Sequence, residues 1–357
     1  MAKLTTPKIT VTFTELGNTA INRGTKGTVA IIVRDAAEQA PVALTQAAQT
    51  PAALGKANQD YIKRAFLGYV NPPKKVIVYT MPEAGGTIED ALTYMASQEF
   101  DYLVGPADCT AEEAAAIAAW VKNQRQMKAV KHKAVLACHA ADNSGVVNFT
   151  TEKLVAGNVV YTTAEYCSRI AGLLAGTPMK ISATFAPLTD LTDVSRLDDE
   201  AANAAVAAGE LIAVWDGRKA KLSRAVNSLV TIGEGVQDSF KKIKIIEVMD
   251  LIRTDIYLTV EDEYIGKYAN TYDNKMLLVS ALRGYFEGLQ RDSLVQPGYT
   301  VDIDVDVQEL YLQSKGKDPS EMSEKEIREA DTGTHVFLKV RCKILDAIED
   351  IDIVIEI

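Results

Sequence analysis

The residues able to do chemistry are few and scattered. Of three histidines, His132, His139 and His335, none has a partner at metal-ligand spacing, and no H-E-x-x-H occurs. His139 follows Cys138 at the end of an apolar run; a zinc or nucleophile role there needs partners the sequence does not supply, so the pair reads as an ordinary strand end. The four cysteines, Cys109, Cys138, Cys167 and Cys342, lie far apart and never as C-x-x-C. They are expected to be buried free thiols of a reducing compartment. Asp302, Asp304 and Asp306 have the beginning of a calcium loop, but Val307 occupies the position that needs Gly, and Val301, Ile303 and Val305 fill the alternate positions. That alternation predicts the polar face of a strand instead. No phosphate loop of the form G-x-x-x-x-G-K-S/T exists: Gly55-Lys56-Ala57, Gly266-Lys267-Tyr268 and Gly316-Lys317-Asp318 all lack the hydroxyl. Gly233-Glu234-Gly235 has Asp238 where a dinucleotide fingerprint needs its third Gly, so it reads as a turn. G-x-S-x-G is absent, and the connection after Val33, Arg34-Asp35-Ala36-Ala37, holds no glycine.

The elements around these residues follow an alternating pattern. Short β-branched runs at 29–33, 76–79, 102–104, 134–137, 159–161 and 211–215 are separated by helical stretches at about 57–69, 88–97, 111–126, 164–174 and 199–208. Thr110 with Glu113 forms a capping box, and Gly209 is placed to end the last helix. This predicts a doubly wound α/β domain with parallel strands joined by crossovers. Beyond Gly235 the texture changes to two long helices, 240–264 and 271–294, then a strand at 299–311, a polar surface stretch at 314–332 with a short helix, and a strand at 334–344. The fold class is therefore α/β followed by a helix-and-sheet domain, α+β overall. The division expected is 1–22, 23–235, 236–347 and 348–357.

Both ends resemble strands with nothing local to pair with. Ile9, Val11 and Phe13 alternate with threonines, and Ile351, Ile353, Ile355 and Ile357 line one face of a terminal strand. Exposed apolar strands invite pairing with another chain, or these two pair with each other or with their own domain. With 48 acidic and 38 basic residues the net charge is −10, which removes the electrostatic footprint of nucleic-acid binding. Three basic features remain, 122–133, 218–224 and the trio Lys241, Lys242 and Lys244 on a helix; each reads as a solvated face, and the trio also suits docking on an acidic protein. At roughly 150 residues per domain the chain holds about two domains. No apolar stretch approaches the roughly 20 residues of a membrane span, and the N-terminal residues lack a secretory pattern, so cytoplasmic synthesis is expected.

Several longer stretches share one likeness. FKKIKIIEVMDLI at 240–252, YIGKYANTYDNK at 264–275 and the ending DAIEDIDIVIEI at 346–357 resemble the C-terminal domain of contractile phage tail sheath proteins. WDGRKAKLSRAVNSLVT at 215–231 is similar to the segment preceding that domain, and 25–34 to the start of the family's α/β domain. The length suits the compact sheaths of Gram-positive phages and of phage-tail-like bacteriocins. The resemblance implies a structural subunit without cofactor or metal that polymerises helically around an inner tail tube and contracts. It implies an outer α/β domain, a tube-facing C-terminal domain, and arms at Ile9, Val11, Phe13, Ile351, Ile353, Ile355 and Ile357 that add strands to neighbours. Lys241, Lys242 and Lys244 become candidate tube contacts. Partners would be the chain itself, the tube, and baseplate and tail terminator proteins, with assembly in the host cytoplasm and release of the particle on lysis. The rival class is a nucleotide- or cofactor-dependent α/β enzyme with a dimerisation domain. Since like charge holds such subunits apart, untemplated polymerisation should rise with salt, followed by light scattering; salt-independent assembly would contradict this role for the net charge.

Overall fold

A run such as TVAIIVRD, β-branched at successive positions, suits a strand covered on both faces, and β1 (Thr28–Asp35) is such a strand. The computed structural model describes residues 20–21, 23–24, 26–37, 39–127, 132–235 and 237–356; Ile9, Val11, Phe13 and Ile357 lie outside them. After β1 come β2 (Val42–Leu44), α1 (Lys56–Ala65), β3 (Lys75–Pro82), α2 (Ile88–Met95), β4 (Tyr102–Val104), α3 (Ala111–Met127), β5 (Lys133–Ala137) and β6 (Val146–Phe149). The chain continues through β7 (Leu154–Ala156), β8 (Val159–Tyr161), α4 (Thr163–Ala175), β9 (Asp193–Val194), α5 (Asp199–Ala207) and β10 (Glu210–Leu211), then the hairpin of β11 (Ala213–Trp215) and β12 (Ala220–Leu222). Last come α6 (Ile243–Glu263), α7 (Tyr272–Arg291), β13 (Thr300–Ile303), α8 (Val305–Ser314), α9 (Glu324–Glu329) and β14 (Leu338–Arg341).

Seven strands form one sheet in the order β10-β6-β5-β4-β1-β3-β2, parallel except for β2. Side chains alternate across it. Val29, Ile31 and Val33 meet α1 and α4, whereas Ala30 and Ile32 meet α2 and α3. All five are fully buried, worth about 1.5–3 kcal/mol for each large aliphatic side chain. This is the doubly wound arrangement expected, with three differences. The run at 159–161 pairs with β7 in a separate three-stranded sheet, β8-β7-β9, because the chain folds back there as an antiparallel hairpin. The run at 211–215 splits at Ile212: Leu211 stays in the main sheet, while 213–215 turns away to pair with β12. The sheet place expected for 159–161 is taken by β6.

The chain divides into two compact units. The α/β unit comprises Arg23–Leu258, Asp292–Leu294 and Ile344–Ile357, so it takes in most of α6 and the C-terminal segment. Within it, α6 is pinned to the N-terminal ends of β1, β4 and β5 by buried charges. Lys26 Nζ lies 2.5 Å from Glu247, which also accepts a hydrogen bond from the Tyr102 hydroxyl. Arg125 grips Asp250 with two bonds of 2.7 and 2.8 Å, and Lys133 stands 3.5 Å from the same carboxylate. The ammonium groups of Lys26 and Lys133 flank the Tyr102 ring at 5.9 and 5.1 Å. Burial lowers the pKa of Lys26, and Glu247 opposes that shift.

The other unit includes the end of α6, α7, β13, α8, α9 and β14. Val279, Leu282, Tyr285, Phe286 and Leu289 of α7 are buried, as are Val301, Ile303, Leu312 and Ile327. Arg283 of α7 donates twice to the Val301 carbonyl, at 3.1 and 2.9 Å. The strand expected over 299–311 stops at Ile303. Asp304 caps the following helix by accepting from the Val307 amide, and from there the buried residues Gln308 and Leu312 fall at helical spacing.

On the side of the main sheet where α1 and α4 meet, only glycine fits at Gly172, since an added Cβ would stand 1.9 Å from the Ala65 carbonyl oxygen. Gly172→Ala should cost about 1–3 kcal/mol by forcing the helices apart and lower the melting midpoint by several degrees in calorimetry. An unchanged midpoint would mean this contact carries no constraint.

Candidate functional site

The C-terminal ends of parallel strands are where α/β domains hold ligands, and a cavity of about 190 Å³ lies there. It is lined in part by Tyr61, Cys109, Thr110, Cys138, His139 and Cys167. Burial first, with Glu113 adding to it, pushes the Cys109 thiol up to about 12, and burial raises that of Cys167 as well. Such thiols stay protonated and unreactive at neutral pH. Burial, then Lys122, lowers the pKa of His139. The expected burial of all four thiols holds only for Cys167: Cys109 is half-buried, and Cys138 and Cys342 are exposed. Cys138 closes β5 in a left-handed turn, φ +49°, which carries its side chain out of the apolar run preceding it. Among the described residues no group of three or more His, Cys, Asp or Glu is arranged to hold a metal ion.

The aspartate triplet does not line one face of a strand. Asp302 in β13 is gripped by Arg328 with two bonds of 2.7 and 2.8 Å. Asp304 and Asp306, at the cap and first turn of α8, lie 3.5 and 2.8 Å from Lys339 of β14. Arg328 and Lys339 thus take the carboxylates that a cation would need, and they tie β13, β14 and α9 together.

A denser polar constellation surrounds the C-terminal segment. Glu349 Oε1 accepts hydrogen bonds from Thr184 Oγ1 at 2.6 Å and Ser182 Oγ at 3.1 Å. Its other oxygen lies 3.1 Å from Lys242 Nζ and 3.8 Å from Arg224 Nε, and the side chain is only 5% exposed. Lys242 also reaches Asp346 at 2.5 Å, Arg224 pairs with Asp350, and Lys244 Nζ donates to the Leu345 carbonyl at 2.9 Å. Burial works against the charge of Lys242, but its bonds to Asp346 and Glu349 outweigh it and raise its pKa. The cations are positioned by local structure: Arg224 follows β12, and Lys242 and Lys244 bracket the first residue of α6. Lys241, at the end of the preceding turn, pairs with Asp238 at 2.9 Å.

Beyond Asp350 these contacts stop. Ile351, Ile353, Val354 and Ile355 are 71%, 76%, 87% and 79% exposed. The terminal strand expected at 351–357 is not formed: residues 351–356 belong to no strand, because no described strand lies alongside to complete a ladder. Serine, threonine and glutamate at positions 182, 184 and 349 were not singled out in the sequence. The only signal was complementary charge, basic at 218–224 and 241–244 and acidic at 346–352.

Residues 74–228 match the phage tail sheath protein central domain, and residues 236–357 the phage tail sheath C-terminal domain. Over 350 residues, covering 97% of each protein, the chain is 38% identical to the tail sheath protein of Clostridium phage phiCD119. The chain belongs to the phage tail sheath family. Its fold is shared by a sheath tail protein from Desulfitobacterium hafniense, with TM-score 0.71 and 16% identity over 83% of this chain and 94% of that one. It is also shared by the helical sheath of the anti-feeding prophage in its contracted state, with TM-score 0.69 and 12% identity over 99% of both chains.

The Arg328 bonds hold the Asp302 carboxyl below the ordinary carboxylate range, against a smaller effect of burial. A depressed folded pKa gives stability that is present above the unfolded value of about 3.9 and lost as the pH falls through the folded one. Because the Asp302 side chain is 40% exposed, solvent limits the effect to about 1 kcal/mol or less. Asp302→Asn should lower the urea midpoint at pH 7, and its deficit against the parent should shrink at pH 3. A deficit equal at both values would contradict the ion-pair account.

Proposed function

We propose that the chain is the structural subunit of a contractile tail sheath, polymerising helically around an inner tube and shortening to drive that tube through a target envelope. In this reading the chain has no enzymatic role. Its assembly partners are further copies of itself, the tube, and the baseplate and terminator proteins at the two ends. The subunit is made and assembled in the host cytoplasm and leaves in a virion or phage-tail-like particle on lysis.

The observation that carries the proposal is the exposed apolar run at 351–356, which forms no strand with any of the described residues. An extended run of this kind supports donation of a strand to a neighbouring subunit through Ile351, Ile353, Ile355 and Ile357, with Ile9, Val11 and Phe13 as the second donor. The sheet of β13 and β14, two-stranded among the described residues, supports an acceptor role, since two strands alone are marginal and edge strands take added ones. A subunit that both gives and accepts strands makes head-to-tail contacts that need not close, and these generate a helix. Main-chain hydrogen bonds in an added strand tether bodies that rotate and slide. The work of contraction would then come from interfaces that improve as the sheath shortens.

The division into arm 1–22, outer domain 23–235, tube-facing domain 236–347 and arm 348–357 belongs to the same proposal. Tube contact through Lys242 and Lys244 would have to break their bonds to the chain's own C-terminal segment, so Lys241 is the freer of the three. Deleting residues 351–357 should leave a folded monomer by sedimentation and circular dichroism that forms no striated cylinders in negative stain with the tube protein present. Normal cylinders from the deletion would overturn the strand-donor reading.

A further inference from the structure

We propose that Glu349 is the fixed root of the C-terminal arm. Its carboxylate sits in a built anion pocket of the same subunit, so that residues 344–350 stay with the α/β unit and only the chain from Ile351 onward moves to a neighbour. The inference rests on the reading of 351–357 as a subunit-linking arm, and adds where that arm begins and what holds it.

Three observations converge on Glu349. First, its side chain is nearly inaccessible although its neighbours Ile348 and Asp350 are largely exposed. Second, two hydroxyls hydrogen-bond one oxygen, while the other, which accepts no hydrogen bond from the described residues, lies within ion-pair distance of a lysine and an arginine. A buried carboxylate held in this way is stable only in place, because withdrawing it deprives Lys242 and Arg224 of one of their two carboxylate partners. Third, flanking contacts fix the backbone on either side. Leu345 N donates to the Leu294 carbonyl at 2.9 Å and Lys244 takes the Leu345 carbonyl, while Asp346 and Asp350 hold Lys242 and Arg224. The pocket is itself rigid, since Thr184 Oγ1 also accepts from the Ala225 amide at 3.0 Å and Ser182 Oγ accepts from the Thr184 amide at 3.1 Å.

The contrast with the next residues is abrupt. Ile348, inside the clasped segment, is 86% exposed, and Ile353, beyond it, is 76% exposed. Equal exposure with different anchoring makes these two positions a matched pair of reporters. The pocket specifies a carboxylate: an amide in its place would lose the charge that Lys242 and Arg224 face, and aspartate would fall short by one methylene.

The test uses the full-length chain with Cys138 and Cys342 replaced by serine, and a nitroxide label on cysteine introduced at 348 or at 353. The spectrum at 353 should show fast, nearly isotropic motion and that at 348 several-fold slower motion. Glu349→Ala should speed the label at 348 to match 353, and Glu349→Gln should move it part of the way. As a gentler second variant, Thr184→Val should also loosen 348 while the melting midpoint reports that the fold persists. Equal mobility at the two positions in the parent, or no change at 348 in both Glu349→Ala and Thr184→Val, would overturn the root. Cylinder formation is scored separately with the 351–357 deletion. Normal cylinders there would refute the linking arm while leaving a slow label at 348 intact, so the two failures are distinguishable.

Discussion

The placement of α6 rests on the buried ion cluster of Lys26, Tyr102, Arg125, Lys133, Glu247 and Asp250. Each member is held by at least one partner of opposite charge or by the Tyr102 ring, so loss of one leaves an uncompensated charge, a penalty of about 3–5 kcal/mol for a buried pair. The cluster acts on three strand ends at once, because β1, β4 and β5 run parallel and begin at the same edge of their sheet. With α6 fixed there, the start of the helix is fixed too, and with it the two lysines that receive the C-terminal segment. An apolar helix–sheet contact would allow a small rotation of α6 at little cost; a network of directed bonds does not.

The α/β unit has the layers of a nucleotide-binding domain, and its sequence carries no phosphate loop of the form G-x-x-x-x-G-K-S/T. At the carboxyl ends of its strands, where such domains turn backbone amides toward phosphate, there is a cavity in which burial raises the pKa of the Cys109 and Cys167 thiols. The polar resources of the unit are spent elsewhere, on the ion cluster under α6 and on the clasp around Glu349. Both are positioning devices, and this distribution suits a subunit whose task is to hold geometry under load.

Much of the fold was legible because two-sided burial writes itself into composition: positions 29–33, 76–79 and 134–137 are continuous apolar runs that a half-exposed strand would not have. Strand β6 was not legible, since VVNF is short and carries a buried polar residue, Asn148. The valine and isoleucine alternation from 301 to 307 suggested one long strand; one cap at Asp304 was enough to turn the chain into a helix, and alternation alone cannot report a cap. The apolar face of the C-terminal run was visible at once. Its anchor was not, because Ser182 and Thr184 are more than 160 residues from Glu349 and no local pattern links them.

The clasp also sets a length scale. From Asp350 to Ile355 is five residues, and at about 3.3–3.6 Å per residue they span at most about 18 Å. On the strand-donor proposal, a neighbouring edge that takes Ile351, Ile353 and Ile355 must lie within that reach of Asp350 throughout any rearrangement. Subunits joined in that way would pivot about the clasp through large angles while the distance from clasp to accepting edge hardly changes.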